Sequence, residues 1–133
     1  MIINLTQHVA SPEQRVAGVQ DLPAEARECV IRLLTVDGLP SRDEIASRCA
    51  DIAHLAASLA SQDDRDDGTS GFATAAMIGG APWMMRALED ALLDQGIEPI
   101  YAFSARESVD QPQPDGSVRK VAVFRHAGFV PAR

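Results

Sequence analysis

Two hydrophobic periods alternate along the chain, and the clearest exchange between them falls at residues 72–106. Residues 72–78 form a short apolar run without polar alternation, the pattern of a strand covered on both faces. Gly79-Gly80-Ala81 breaks the run. Pro82 is placed to open a helix, because its missing N–H and fixed φ suit the first helical position. Met85, Leu88, Leu92 and Leu93 recur at helical spacing, with Arg86, Glu89, Asp90 and Asp94 opposite. Gly96 sits where a helix-ending glycine belongs, and residues 97–103 return as a second apolar strand. Two buried strands joined through a helix make a right-handed parallel βαβ unit. Such sheets hold ligands beyond the carboxyl ends of their strands, which here carry Gly79-Gly80-Ala81 and Ser104-Ala105-Arg106.

The same patterning organises the remainder. Residues 1–5 read as a first strand that delivers Asn4, Thr6, Gln7 and His8 at or near its carboxyl end. Ser11-Pro12-Glu13-Gln14 is a helix start: the serine can cap, the proline pre-sets the first turn, and the glutamine can reach back to the cap amide. That helix ends near Gly18, and residues 19–22 suit a brief edge strand. A second helix is expected over 23–36, with Ala26, Val30, Leu33 and Leu34 inward. Ser41-Arg42-Asp43-Glu44 repeats the capping-box pattern, and the helix it opens carries Ile45, Cys49, Ile52, Ala56 and Leu59 as a stripe that packs on a sheet. His54 falls off that stripe and reads as a surface residue. Pro114-Asp115-Gly116 suits a hairpin turn after an extension over 107–110, so the strand over 117–125 should run antiparallel beside its predecessor. The pattern predicts one α/β domain over residues 1–133: a Rossmann-like, three-layer arrangement, mostly parallel, with helices on both faces and a C-terminal antiparallel strand.

Composition narrows the functional classes. A chain of 133 residues that is 46% hydrophobic can bury a core without staples. A formal charge of −7 argues against duplex nucleic acid, whose binding needs many phosphates neutralised by a basic face, but leaves room for a small anion held by a few cations. No run approaches a membrane span, and there is no secretory leader pattern. Cys29 and Cys49 fall within predicted helices without close metal-ligand partners, and read as reduced thiols of a cytoplasmic protein. The four aspartates within residues 62–71 lack the paired glycine and terminal glutamate of a calcium loop, so a solvated loop is expected and no metal or other cofactor is assigned.

Candidate chemistry converges on one sheet edge. Gly79-Gly80-Ala81-Pro82 is neither a Walker loop nor a dinucleotide fingerprint, yet a glycine turn entering a helix presents free amides and a dipole that favour an anion. Thr6, Gln7 and His8, then Gly79 and Gly80, then Ser104 and Arg106 all fall at predicted strand ends. The opening LTQHVASPEQ, the segment GIEPIYAFSAR and the closing DGSVRKVAVFRHAGF resemble small CRISPR-associated ring nucleases of type III systems, over roughly half the chain. The chain departs from that pattern in carrying Gly79-Gly80 where the family has a polar Gly-Asp turn.

The resemblance implies a homodimer that binds cyclic oligoadenylate, or another small anionic nucleotide, and cleaves it without metal. His8 would then act as general base or acid, Arg106 would bind phosphate, and Ser104 with the Gly79, Gly80 and Ala81 amides would orient it. Each residue has a second reading. His8 can serve only the neighbouring turn, Arg106 can pair with Glu107, and Trp83 can anchor a core or interface rather than stack on a base. Met84 and Met85 suit the core, and Arg125 and His126 an exposed strand end. The alternative function is a non-catalytic module that binds a nucleotide or a protein partner.

Overall fold

The computed structural model describes residues 1–63 and 74–133. Its elements run β1 (Ile2–Asn4), α1 (Pro12–Val16), β2 (Val19–Gln20), α2 (Ala24–Leu34), α3 (Arg42–Asp63), β3 (Ala75–Met77), α4 (Pro82–Asp94), β4 (Glu98–Pro112) and β5 (Val118–Pro131). They build one five-stranded sheet in the order β2-β1-β3-β4-β5. The first four strands are parallel and β5 is antiparallel to β4. The chain is therefore an α/β protein of the Rossmann-like kind predicted.

Local chemistry sets the helix boundaries. The Ser11 hydroxyl accepts from Gln14 N–H at 3.1 Å and the Gln14 side chain accepts from Ser11 N–H at 3.0 Å, completing the capping box of α1. Ser41 makes half of that box for α3, accepting from Glu44 N–H at 3.1 Å, while the Glu44 carboxylate pairs with Arg48 at 3.2 Å. Pro82 is the first residue of α4, and the chain turns out of that helix at Gly96, whose φ of +72° is disfavoured for residues with a Cβ.

The layers are unequal. On one face Ile3, Leu5, Ala76 and Ile78 pack with Val30 and Leu34 of α2, the α3 stripe and Met84, Leu88 and Leu92 of α4. Cys49, Ile52 and Ala56 are fully buried in it, while His54 is exposed. The other face has a smaller cluster of Ala10, Val19, Met77 and Ile100 backed by Phe129. Right-handed connections place α1 on this side, alone among the described helices, and that five-residue helix buries none of its own residues.

Both closing strands outrun the prediction. Pairing of β3 with β4 stops at Met77↔Ile100, but β4 and β5 stay paired from Ile100↔Pro131 to Pro112↔Val118. A two-stranded arm thus leaves the carboxyl edge of the sheet. Its register slips between Phe103 and Ser104, where Ala127 is the extra residue beside Gly128.

Cys29 and Cys49 are unpaired. Burial pushes the Cys49 thiol up to about 11, and its sulfur lies 3.7 Å from the Met84 carbonyl. No helix among the described residues is long and apolar enough to cross a membrane. The expected loop over 62–71 lies outside the described residues except at its start, where α3 ends.

Candidate functional site

In this strand order the chain leaves β1 toward β2 on one side and returns to β3 on the other. The carboxyl ends of β1 and β3 therefore flank the point where the winding reverses, the position at which doubly wound sheets open a crevice. A crevice of about 310 Å³ lies there. Thr6, Gln7, His8 and Val9 form its β1 wall, Met77, Gly79 and Gly80 its β3 wall, and Gln14 reaches in from α1.

The β1 wall is held by one buried amide. Asn4 is 4% exposed. Its Nδ2 donates to the His8 carbonyl at 2.7 Å and to Asp21 Oδ1 at 2.8 Å. Its Oδ1 accepts from the Thr6 N–H at 3.0 Å and the Thr6 hydroxyl at 2.7 Å. Asp21, just past β2, also accepts from Ala10 N–H at 2.9 Å and pairs with Arg15 at 3.0 Å. Burial alone would raise the Asp21 carboxyl; the hydrogen bonds from Asn4 and Ala10 and the charges of Arg15 and Arg27 together hold it below the usual value. Loop 5–10 is thereby fixed at both ends. The His8 backbone serves that loop, but its imidazole is exposed and makes no hydrogen bond among the described residues. Gln7 is less free: its side chain donates to Thr35 Oγ1 at 3.2 Å, and its carbonyl accepts from Arg27.

The β3 wall is backbone. The N–H groups of Gly79, Gly80 and Ala81 find no partner among the described residues. Ala81 is the N-cap of α4 and offers no side-chain acceptor, and the first turn holds no acid. These orphan donors and the positive end of the helix dipole suit an anion. Gly80 has φ +154°, and a Cβ there would meet Met85 Cε at 3.2 Å, so the turn admits little else.

A wider groove of about 510 Å³ continues from Gly79 and Gly80 over Pro82, Met85, Arg86, Glu89 and Tyr101. The Tyr101 hydroxyl donates to Glu89 at 2.6 Å, and Glu89 also pairs with Arg133. Burial first, then the Glu89 hydrogen bond and charge, raise the Tyr101 phenol above its ordinary range, with Arg133 opposing. Arg86 is largely exposed and reaches Asp90 at 3.6 Å.

The structure thus gathers Thr6, Gln7, His8, Gly79 and Gly80 in one crevice, with Ala81 beside it as the helix cap. Ser104 lies in a neighbouring pocket with Glu13, Phe124 and His126, joined to the crevice through Gln14. Arg106 is out on the arm opposite Phe124, and Glu107 pairs with Arg125 at 2.7 Å rather than with Arg106. Trp83 is 52% exposed, which excludes a core role, whereas Met84 and Met85 are core residues. His126 is not merely a strand end: its N–H donates to Glu13 at 2.9 Å, tying the arm's base to α1, and its ring lies 4.8 Å from that of Phe129. The sequence reading missed Asp21, since an isolated aspartate before Leu22-Pro23 carries no motif. Gln14 was seen only as a capping residue.

The chain belongs to the Uncharacterized protein MJ1673 family, whose model matches residues 1–130. No curated protein matches it, and no solved structure does.

Proposed function

We propose that the crevice between β1 and β3 binds a phosphodiester of a cyclic oligoadenylate and that the chain opens the ring without a metal, as a homodimeric, cytoplasmic ring nuclease. One observation carries this reading: an exposed histidine and a row of unpartnered backbone donors face each other across the switch point of the sheet. Each 3′-5′ linkage contains its own nucleophile. The ribose 2′-oxygen attacks the adjacent phosphorus, the bond to the 5′-oxygen breaks, and a 2′,3′-cyclic phosphate and a 5′-hydroxyl result. His8 takes the 2′-proton or supplies one to the leaving oxygen, the general acid–base role that an imidazole within reach of the linkage can fill. The Gly79, Gly80 and Ala81 amides hold the non-bridging oxygens and stabilise the charge that develops there.

Incubation with cyclic tri-, tetra- and hexa-adenylate in EDTA, read by mass, tests the reading. Linear products ending in 2′,3′-cyclic phosphate are expected, with His8→Ala slowed by at least about a hundredfold. A folded His8→Ala chain that turns over normally would overturn the assignment. The second reading, a binding module, is favoured by the absence of any Lys or Arg from the crevice lining among the described residues. Saturable binding with the ring recovered intact would select it.

A further inference from the structure

The crevice has a neighbour that the proposed bond breaking does not use. Between α1 and the base of the arm lies a second hollow of about 270 Å³, walled by Glu13 and Gln14 on one side and by Ser104, Phe124 and His126 on the other. Gln14 lines both hollows, so the two meet at a single side chain.

Phe124 sets this hollow apart from an ordinary strand end. Strand alternation and its pairing with Arg106 put it on the α1 face of the arm, together with Ser104 and His126. Its neighbours along that face are small or polar, with Ser104 and His126 before it and Ser108 and Ala122 beyond. The ring is nevertheless 71% exposed. A lone phenyl group among such residues offers a flat surface the size of one ring, which is too little apolar area for a protein interface. It suits a planar ligand that stacks.

The polar groups say which planar ligand. Where the crevice offers N–H donors, the second hollow offers a carboxylate. Glu13 Oε2 accepts from His126 N–H at 2.9 Å, and its Oε1 has no partner among the described residues. Gln14 commits its Oε1 to Ser11 N–H at 3.0 Å, and its Nε2 has no partner among the described residues. A carboxylate repels a phosphate and accepts from an amine. An acceptor beside a donor matches the exocyclic amine of adenine and the ring nitrogen next to it. A purine with a keto group in that place would set its oxygen against the carboxylate. Cytosine shows the same pair of groups but covers less of the phenyl face.

We infer that this hollow is a nucleobase subsite. An adenine stacks on Phe124, donates its amine to Glu13 Oε1 and accepts from Gln14 Nε2 at a ring nitrogen, while its phosphodiester lies in the crevice on the far side of Gln14. Phe124 and Glu13 are then the residues that select the base. Glu13 also ties the base of the arm to α1, and so sets the spacing between the stacking ring and the crevice. The subsite rests on the reading of the crevice as a phosphodiester site, but it concerns recognition and not bond breaking.

Titration calorimetry with two uncleavable probes tests it: 2′-deoxy diadenylate, which lacks the attacking hydroxyl, and 2′-deoxy di-inosinate, which carries a keto oxygen in place of the amine. The wild-type chain should prefer the diadenylate by at least about fivefold, the worth of one hydrogen bond. Phe124→Ala should weaken diadenylate binding by about tenfold or more, and Phe124→Trp should retain it. Glu13→Gln keeps an acceptor for His126 N–H and puts a donor where Oε1 was, so the preference should shrink or reverse. Equal affinity for the two probes, a wild-type chain that binds neither, or a Phe124→Ala chain with unchanged circular dichroism and unchanged binding each overturns the subsite. Adenine-selective binding that depends on Phe124, with cyclic oligoadenylates recovered intact, refutes the proposed function and not the subsite. Adenylate and inosinate rings opened alike, by wild type and Phe124→Ala alike, refute the subsite and not the function.

Discussion

Replacing Asn4 by alanine should loosen the crevice from behind without touching its lining. The side chain makes four hydrogen bonds, at 2.7, 2.8, 3.0 and 2.7 Å, to the His8 carbonyl, Asp21 and both donors of Thr6. Each contributes about 1 kcal/mol net, and the bond to the Asp21 carboxylate contributes more. Water can reach the Thr6 and His8 groups once the amide is gone, because that loop lies at the surface. The expected loss is therefore about 2–4 kcal/mol rather than the full sum. At about 4 °C per kcal/mol for a domain of this size, the melting temperature should fall by roughly 8–16 °C.

Asn4→Asp sharpens the test. It keeps the acceptor for Thr6 but turns an oxygen toward Asp21 and the His8 carbonyl. Two carboxylates at that distance share a proton, so one is raised above its unfolded value. A raised group contributes its stability below the unfolded value and loses it as pH rises. Asn4→Asp should thus be worst near pH 7 and approach wild type toward about pH 4. Urea unfolding followed by circular dichroism measures both variants. An Asn4→Ala protein within about 0.5 kcal/mol of wild type, or an Asn4→Asp deficit that does not change with pH, would refute the clamp.

Two further predictions follow from the charged groups around the site. Asp21 is held below the ordinary carboxylate value, so its contribution is present above about 3.9 and is lost as pH falls through the folded value. Asp21→Asn should lower stability at neutral pH and flatten the acid limb of the stability curve; parallel acid limbs would contradict the assignment. Tyr101 is the single tyrosine, and its phenol is raised by burial and by Glu89, so spectrophotometric titration should show phenolate forming only well above the ordinary value of about 10. Tyr101→Phe should cost about 1–2 kcal/mol, because Glu89 keeps only Arg133; ionisation at the ordinary value of about 10 would sink that reading.

The residues that set local geometry were readable because their chemistry is local. Ser11 with Gln14, Ser41, Pro82 and Gly96 each act within four residues of where they stand, and each ends or begins a helix where expected. The α3 stripe was readable for the same reason, being a period on a single element. What spans the fold was not. Asn4 was visible as a polar residue at a strand end, but its tie to Asp21 crosses seventeen positions, and only the parallel pairing of β1 with β2 brings the two together. The lengths of β4 and β5 were underestimated because the polar residues after Phe103 look like a loop. Pairing through thirteen cross-strand positions, rather than burial, keeps them extended. Arg106 was drawn into the site by its place after a strand that was expected to stop.

The register of β1 has a consequence for the order in which the protein can be assembled. Ile2 is paired with Ala75 and Asn4 with Met77, so the sheet's second strand has its inner neighbour more than seventy residues downstream. On a ribosome, β1 can meet only β2 until β3 has emerged, and a two-residue strand is a weak companion. The hairpin of β4 and β5, by contrast, closes within a few residues of its own turn. Loop closure over the longer span is the slow event, and during it the apolar edge of β1 is open to other nascent chains.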